Sequence, residues 1–568
     1  MTRRDLLILF IIGLAVPLGI AQFQSLPGYM DADYYFGGGV QLMKGNGFTE
    51  PYLWNYLDDP QGLPHPSHAY WMPLASIVAA AGMWITGRAD FASARLGFLL
   101  LAALVPPLAS LLAHKLTGNR ALAFLSGLLA AFPIYYAPFL PVPDNYAIYM
   151  VLGALYFLLI TNLNRSLITV HCSLITFFLL GLTSAAMTLA RSDGLLWLGI
   201  SFLVAVWFAG TQVDRDTGRQ VNRYTGTQVD TYTRTQVDTD THSTLHPPRN
   251  TQHGTRNTQL FIFHLSSFIL FLLLGFLLLM SPWYARNLHT FGSLMAPGGS
   301  RALWLTDYND TFAFPAGKLT MVRWLASGWD SILQARVHAL RLNLLNAFAA
   351  QGGIFLFPFI VIGLWQFRKD IRVRFALLAW TLLLLAMTLV FPFAGERGAF
   401  YHAGAALQPI WWAMAPVGLE TLVAAARKRG LFDQRAFAIF RGALVGIAVL
   451  MTAVIFIVRV LPGWEREDGQ YRKVEILLVQ KNVPADAIII LRNPPGFNIV
   501  TGRPAIALPN GGLLSVQEVA KKYNADYLLL EPNESLTPPC ALCDQANSNP
   551  NFRFLGESDG VRLYEIHR

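Results

Sequence analysis

Apolar runs long enough to cross a bilayer recur along almost the whole chain. A membrane-crossing helix needs about 20 predominantly apolar residues. Eleven stretches meet that length: 5–24, 92–113, 121–140, 146–163, 168–190, 194–210, 259–282, 351–367, 375–393, 403–425 and 437–460. The sequence therefore predicts a polytopic α-helical membrane protein. Composition agrees, since 54% of the 568 residues are hydrophobic and only 14% are charged. Soluble domains carry about 25% charged residues. A soluble enzyme, a disordered scaffold and a disulfide-dense secreted domain are excluded, the last because the chain has only 3 cysteines.

The net charge of +9 is a topology signal and not a nucleic-acid footprint. Basic residues cluster in short connections, as expected of loops retained in the cytoplasm. Arg3 and Arg4 precede the first run, which lacks a small-residue cleavage site and reads as a retained anchor with a cytoplasmic N-terminus. Residues 70–86 resemble a further span, but counting it would place Lys115, Arg120 and the later basic loops outside. They are read as a helix in the outer interface, anchored by Tyr70, Trp71 and Trp84. An odd number of spans then puts the C-terminus outside.

Residues 211–242 carry a Thr-rich repeat of eight residues, and 211–258 are expected to form a disordered cytoplasmic insert within a membrane domain spanning 1–460. Beyond 461 the grammar changes. Short apolar runs at 487–491, 504–508 and 526–530 alternate with a helical stretch at 515–523, which predicts a small extracytoplasmic α/β domain over 461–568. Cys540 and Cys543 form a C-x-x-C there, without the second pair a zinc site needs. A local disulfide is the alternative.

Five separate outer turns carry ionisable groups. Asp31 and Asp33 follow the first span, beside Tyr35, and the same loop holds His65 and His68. Asp144 ends the third span, and Arg191 and Asp193 join the fifth to the sixth. Arg286 ends the seventh, and Glu396, Arg397 and His402 lie between the ninth and tenth. Each position alone reads as a cap, an ion pair or an anchor. Their agreement on one side of the membrane is the signal, because ionisable groups near the bilayer are costly. Carboxylates and arginines at that depth suit sugar transfer from a lipid phosphate. A carboxylate deprotonates the attacking hydroxyl, and guanidinium groups hold the phosphate and stabilise it as it leaves.

The strings DADYY and PHPSHAYWMPL in the first outer loop resemble membrane glycosyltransferases of the GT-C fold, and most closely the glycosyltransferase family 39 branch. PDNYAIYM, RSDGLLWL, PWYARNLHTFG and GERGAFYHAGAALQP support this in the same order along 1–460. The resemblance implies a polyprenyl-phosphate sugar donor, membrane lipid as the medium, an inverting transfer at the outer face and a hydroxyl acceptor on a protein, lipid or glycan. It also implies that Asp31 or Asp33 is the catalytic carboxylate and that Arg191, Arg286 and Arg397 bind the donor phosphate. Asp144, Tyr35, His65, His68, Asp193, Glu396 and His402 take supporting parts. A divalent metal is compatible with these residues, although their spacing selects none. Two rivals stand beside this reading. One is a lipid-sugar flippase or polysaccharide exporter without transfer chemistry, and the other is a membrane-bound carbohydrate sensor.

Overall fold

The computed structural model describes residues 1–163, 170–232, 251–433, 435–531 and 541–568, with backbone alone at 170–171, 215–232, 251–256 and 541. Among the described residues, 9 helices are long and apolar enough to cross a membrane, or 10 if a bent pair is one span. The protein is thus a multi-pass helical membrane protein.

Two expected spans differ in form. The run 121–140 is a short helix, Arg120–Ala131, followed by a 3-10 segment, Ile134–Phe139. Pro133 and Pro138 lack the amide hydrogens a continuous helix requires. The run 351–367 is the second limb of a pair, Trp329–Gln351 and Ile354–Gln366, bent by 88°. The break falls at Gly352 and Gly353, and Gly353 takes a left-handed φ of 56°. Close helix contacts follow from small residues. A Cβ on Gly181 would lie 2.0 Å from the carbonyl oxygen of Leu272, and one on Gly275 would lie 2.0 Å from that of Phe178. These glycines let the helices Cys172–Ala190 and Asn257–Phe291 touch through their backbones.

The segment expected to lack structure over 211–258 has helical backbone up to Tyr232 and again from Thr251. Residues 233–250 lie outside the described residues. Extending an existing helix costs far less than starting one, so the apolar helix beginning at Leu195 runs on into polar sequence.

Helix α1 (Arg3–Ala21) leads to α2 (Met30–Met43), and 70–86 contains α3 (Leu74–Thr86), whose 13 residues are too few to span a bilayer. Between α2 and α3 lie three short strands: β1 (Thr49–Glu50), β2 (Tyr52–Leu53) and β3 (His65–Pro66). The C-terminal strands are β4 (Ile488–Leu491), β5 (Ala505–Ala507), β6 (Ala525–Leu530), β7 (Phe552–Ser558) and β8 (Val561–Ile566). They form a small α/β sheet at the positions of the expected apolar runs. The sheet has 6 strands in the order β2-β5-β4-β6-β8-β7. Its first strand comes from the opposite end of the chain, with Tyr52 opposite Ala505 and Leu53 opposite Ile506 in parallel register. The Tyr523 hydroxyl donates to Pro60 O at 2.9 Å, and Lys522 pairs with Asp59 at 2.7 Å. The second long loop docks on the sheet too, where Asn510 N donates to Phe312 O at 2.8 Å. Both loops and the sheet therefore gather on one face of the helices, here termed the loop face. Cys543 is disulfide-bonded, while Cys540 lies outside the described residues.

Candidate active site

The first turn of α2 carries Asp31 and Asp33. Two residues along an α-helix are a rotation of roughly 200°, so their side chains leave on opposite sides. Asp31 faces the membrane helices. Its Oδ2 lies 3.7 Å from His402 Nε2, and Asp144 Oδ1 lies 3.6 Å from His402 Nδ1. One oxygen or nitrogen from each of Asp31, Asp144 and His402 fits within a common span of 4.8 Å. These residues come from α2, from the turn before Asn145–Leu163 and from the helix after Glu396.

Aromatic hydroxyls fix the group from behind. Tyr29 donates to Asp144 Oδ2 at 2.6 Å, and Asn145 N reaches Asp144 Oδ1 at 2.6 Å. The Tyr146 hydroxyl is 2.8 Å from His402 Nε2, and its ring stacks on the imidazole at 4.2 Å. Asn145 Nδ2 also donates to the Tyr35 hydroxyl at 2.8 Å. Asp144 has a fully buried side chain, whereas that of Asp31 is 34% exposed. Burial and the charge of Asp144 push the Asp31 carboxyl up to about 7, against a partial pull downward from Arg191. Burial likewise raises Asp144, which the Tyr29 hydrogen bond partly offsets. Arg191 is held by Asp193 at 3.1 Å, and Asp193 is held in turn by the Tyr149 hydroxyl at 3.0 Å.

The other expected site residues sit elsewhere. Asp33 is 2% exposed and faces the C-terminal half, where its Oδ2 accepts from Asn493 Nδ2 at 3.3 Å. The helix phase of α2 thus gives Asp33 to the seam and Asp31 to the cluster. His65 pairs with Glu50 across the β1–β3 ladder at 2.9 Å. His68 is buried against Tyr34, its ring centroid 5.3 Å away, and burial holds its imidazole down at about 3. Arg286 lies over the rings of Trp283 and Phe291 at 4.8 and 4.9 Å and donates to Ser67 O at 2.7 Å. Glu396 is 3.8 Å from His338. Arg397 lies 4.3 Å over the Tyr308 ring, and Tyr308 feels the charge of both Arg397 and Asp31.

Sequence reading missed Tyr29, two residues before DADYY, and Tyr146, which stands inside PDNYAIYM. It also missed Asn493, for which no local signal exists because its partner lies 460 residues away. A divalent ion would find a compatible donor set at Asp31, Asp144 and His402. Two carboxylates and one imidazole suit ions from magnesium to zinc, and His402 Nδ1 is buried without a hydrogen-bond partner.

No family model matches the sequence, and no curated protein matches it significantly. Solved structures do. ArnT from Cupriavidus metallidurans, bound to undecaprenyl phosphate, superimposes with a TM-score of 0.53 over 99% of this chain and 98% of its own, at 11% identity. The apo oligosaccharyltransferase of Archaeoglobus fulgidus gives 0.49 over 93% of this chain and 69% of its own, at 11% identity. The end-to-end superposition on ArnT shows that this chain has the GT-C membrane fold.

Proposed function

We propose that this protein is an integral-membrane glycosyltransferase that moves a sugar from a polyprenyl-phosphate donor to a hydroxyl acceptor with inversion. The observation that carries the reading is the meeting of Asp31, Asp144 and His402 from three distant parts of the chain, with Arg191 close enough to act on both carboxylates. The undecaprenyl phosphate bound to ArnT supports the class of donor. The acceptor oxygen attacks the anomeric carbon, and its proton passes to the part-exposed Asp31 carboxylate. The bond from that carbon to the phosphate oxygen breaks, and polyprenyl phosphate leaves. Arg397, which has no carboxylate partner among the described residues, stabilises the leaving phosphate. Asp144 and His402 hold Asp31 in place through charge and packing. A divalent ion on these three side chains would, when bound, offset the charge developing on the phosphate.

Membrane preparations containing the Asp31→Asn protein are expected to lose transfer by at least about 100-fold, the low end of general-base effects. Expression and thermal unfolding should stay as in wild type. Full activity in this variant would refute the assignment. Lipid movement between leaflets without any sugar transfer would favour the flippase instead.

We further propose that the loop face is extracytoplasmic. Ile85, 83% exposed at the end of α3, and Lys115, at the other end of the next span, report on this. Cysteine at 85 should react with an impermeant thiol reagent added outside, and cysteine at 115 should not. The reverse pattern would invert the topology.

A further inference from the structure

The link from α1 to α2, residues 22–29, is short and polar contacts hold it from several sides. Gln24 Nε2 donates to Pro138 O at 2.9 Å, and the Arg95 guanidinium donates to Ala21 O at 2.8 Å and to Gln24 O. Ser25 gives both its amide, at 2.6 Å, and its hydroxyl, at 2.7 Å, to Glu465 Oε1. The Trp464 indole N–H donates to Leu26 O at 3.0 Å. Trp464 and Glu465 stand between the 3-10 turn Leu461–Gly463, which follows the apolar helix begun at Ala436, and the helix Arg466–Gln480 that leads to the C-terminal sheet. Segments 438 residues apart in sequence are thereby buckled together.

Trp464 is 5% exposed, and the link passes directly over its ring. A Cβ on Gly28 would lie 2.5 Å from the indole nitrogen, and Gly28 takes a left-handed φ of 85°, so only glycine meets both demands. The next residue, Tyr29, meets the indole edge-on, with ring centroids 5.7 Å apart and planes at 74°. Phe139 closes on the Tyr29 ring at 5.5 Å and 86°. The phenol is thus packed by two rings, and its hydroxyl donates to Asp144 Oδ2 at 2.6 Å. An indole that only filled space would not need its N–H aimed at the carbonyl of this link.

We propose that Trp464 is a positioning residue for sugar transfer: it seats the Tyr29 ring, and Tyr29 sets Asp144 beside Asp31 and His402. The segment after the apolar helices thereby acts on the candidate active site through an aromatic contact and one hydrogen bond, without supplying a reacting group. The role rests on the glycosyltransferase reading above for its reaction. Misplacing a catalytic group by about 1 Å costs roughly 100-fold in rate, and loosening a ring that carries one hydrogen bond to such a group should cost part of that.

The test is a double-mutant cycle on the full-length protein in membranes of its own host, with polyprenyl-phosphate-linked sugars extracted from the same cells as the varied donor. Rates are expressed per folded molecule, below the lowest unfolding midpoint. Trp464→Leu is expected to lower kcat about tenfold with KM for the donor unchanged, and Trp464→Phe, which keeps a ring and loses the N–H, should recover part of the loss. Tyr29→Phe should lower kcat at least as much. Trp464→Leu combined with Tyr29→Phe should fall no further than Tyr29→Phe alone, because the indole acts through that hydroxyl. Trp207→Leu, which removes an indole packed against Phe375 in the membrane part, should keep the wild-type kcat. If Trp464→Leu does not fold, Trp464→Phe and Tyr29→Phe complete the same cycle. An unchanged kcat in either single variant, or losses that multiply in the double variant, would overturn the positioning role and leave the transfer reading intact. Absence of sugar transfer by the wild type would overturn that reading and the role with it.

Discussion

The molecule contains two groups that each combine two carboxylates with a histidine, and their fates differ. Glu50, Asp58 and His65 lie in the first long loop, and Asp31, Asp144 and His402 lie at the helix ends. In the first group the histidine is engaged through Nε2, which lies 2.9 Å from Glu50 and 3.1 Å from Tyr52 O, and all three side chains are nearly inaccessible. Glu50 and His65 also oppose one another directly in a two-stranded ladder. In the second group the carboxylates stop 3.6 and 3.7 Å from the imidazole, beyond hydrogen-bonding distance, and Asp31 keeps a third of its side chain exposed. Aromatic hydroxyls from Tyr29 and Tyr146 hold that spacing. The two groups thus differ chiefly in access: Asp31 is reachable, whereas no member of the loop group is.

The sharpest way to break this contrast is kinetic. Asp144→Asn should lower transfer by about 100-fold, the scale of a displaced catalytic group. Glu50→Gln should leave the rate per folded molecule unchanged, and equal losses in both variants would erase the distinction. Ion binding separates the groups next. Manganese titrated into the purified protein and followed by electron paramagnetic resonance should bind, and His402→Ala should weaken binding about tenfold, whereas His65→Ala should not. Loss of the signal in His65→Ala alone would move the ion to the loop.

Stability should show the opposite pattern. Removing one partner of a buried ion pair costs about 3 kcal/mol, so Glu50→Gln should unfold several degrees below wild type, while Asp31→Asn should not. The smallest effect is the pH dependence of the loop group. Burial raises the Glu50 carboxyl. Burial also works against a charged His65, but Glu50 and Asp58 outweigh it and raise His65 too. Both folded-state values then lie above the unfolded ones, so the folded loop binds extra protons. The stability this confers is lost as pH rises, for histidine from about 6.5 upward. Unfolding midpoints of wild type and Glu50→Gln should therefore converge as pH rises above about 6.5. Divergence would reverse the sign.

Much of this was legible in the residues. The helical membrane class and the C-terminal strands follow from apolar patterning, a local property. Asp31, Asp144, Arg191 and His402 were legible as separate polar interruptions, and topology alone put them on one face. Which of Asp31 and Asp33 joins Asp144 and His402 was not, because it depends on the rotational phase of α2 against partners far along the chain. Glu50 carried no local mark either, since its meaning comes from a two-residue ladder. Residues 121–140 misled through hydropathy, which does not register that Pro133 and Pro138 break a helix.

The pairing of β2 with β5 has a consequence for how the protein is made. Tyr56, just past β2, hydrogen-bonds Ala507 O across 451 residues. During synthesis the early loop leaves the ribosome with an unmatched strand edge, and the segment that completes it is translated 451 residues later. A nascent chain halted before β5 would hold the apolar helices described above yet lack the strand that pairs with β2. The early loop therefore waits, unpaired, while the membrane helices between the two strands are made.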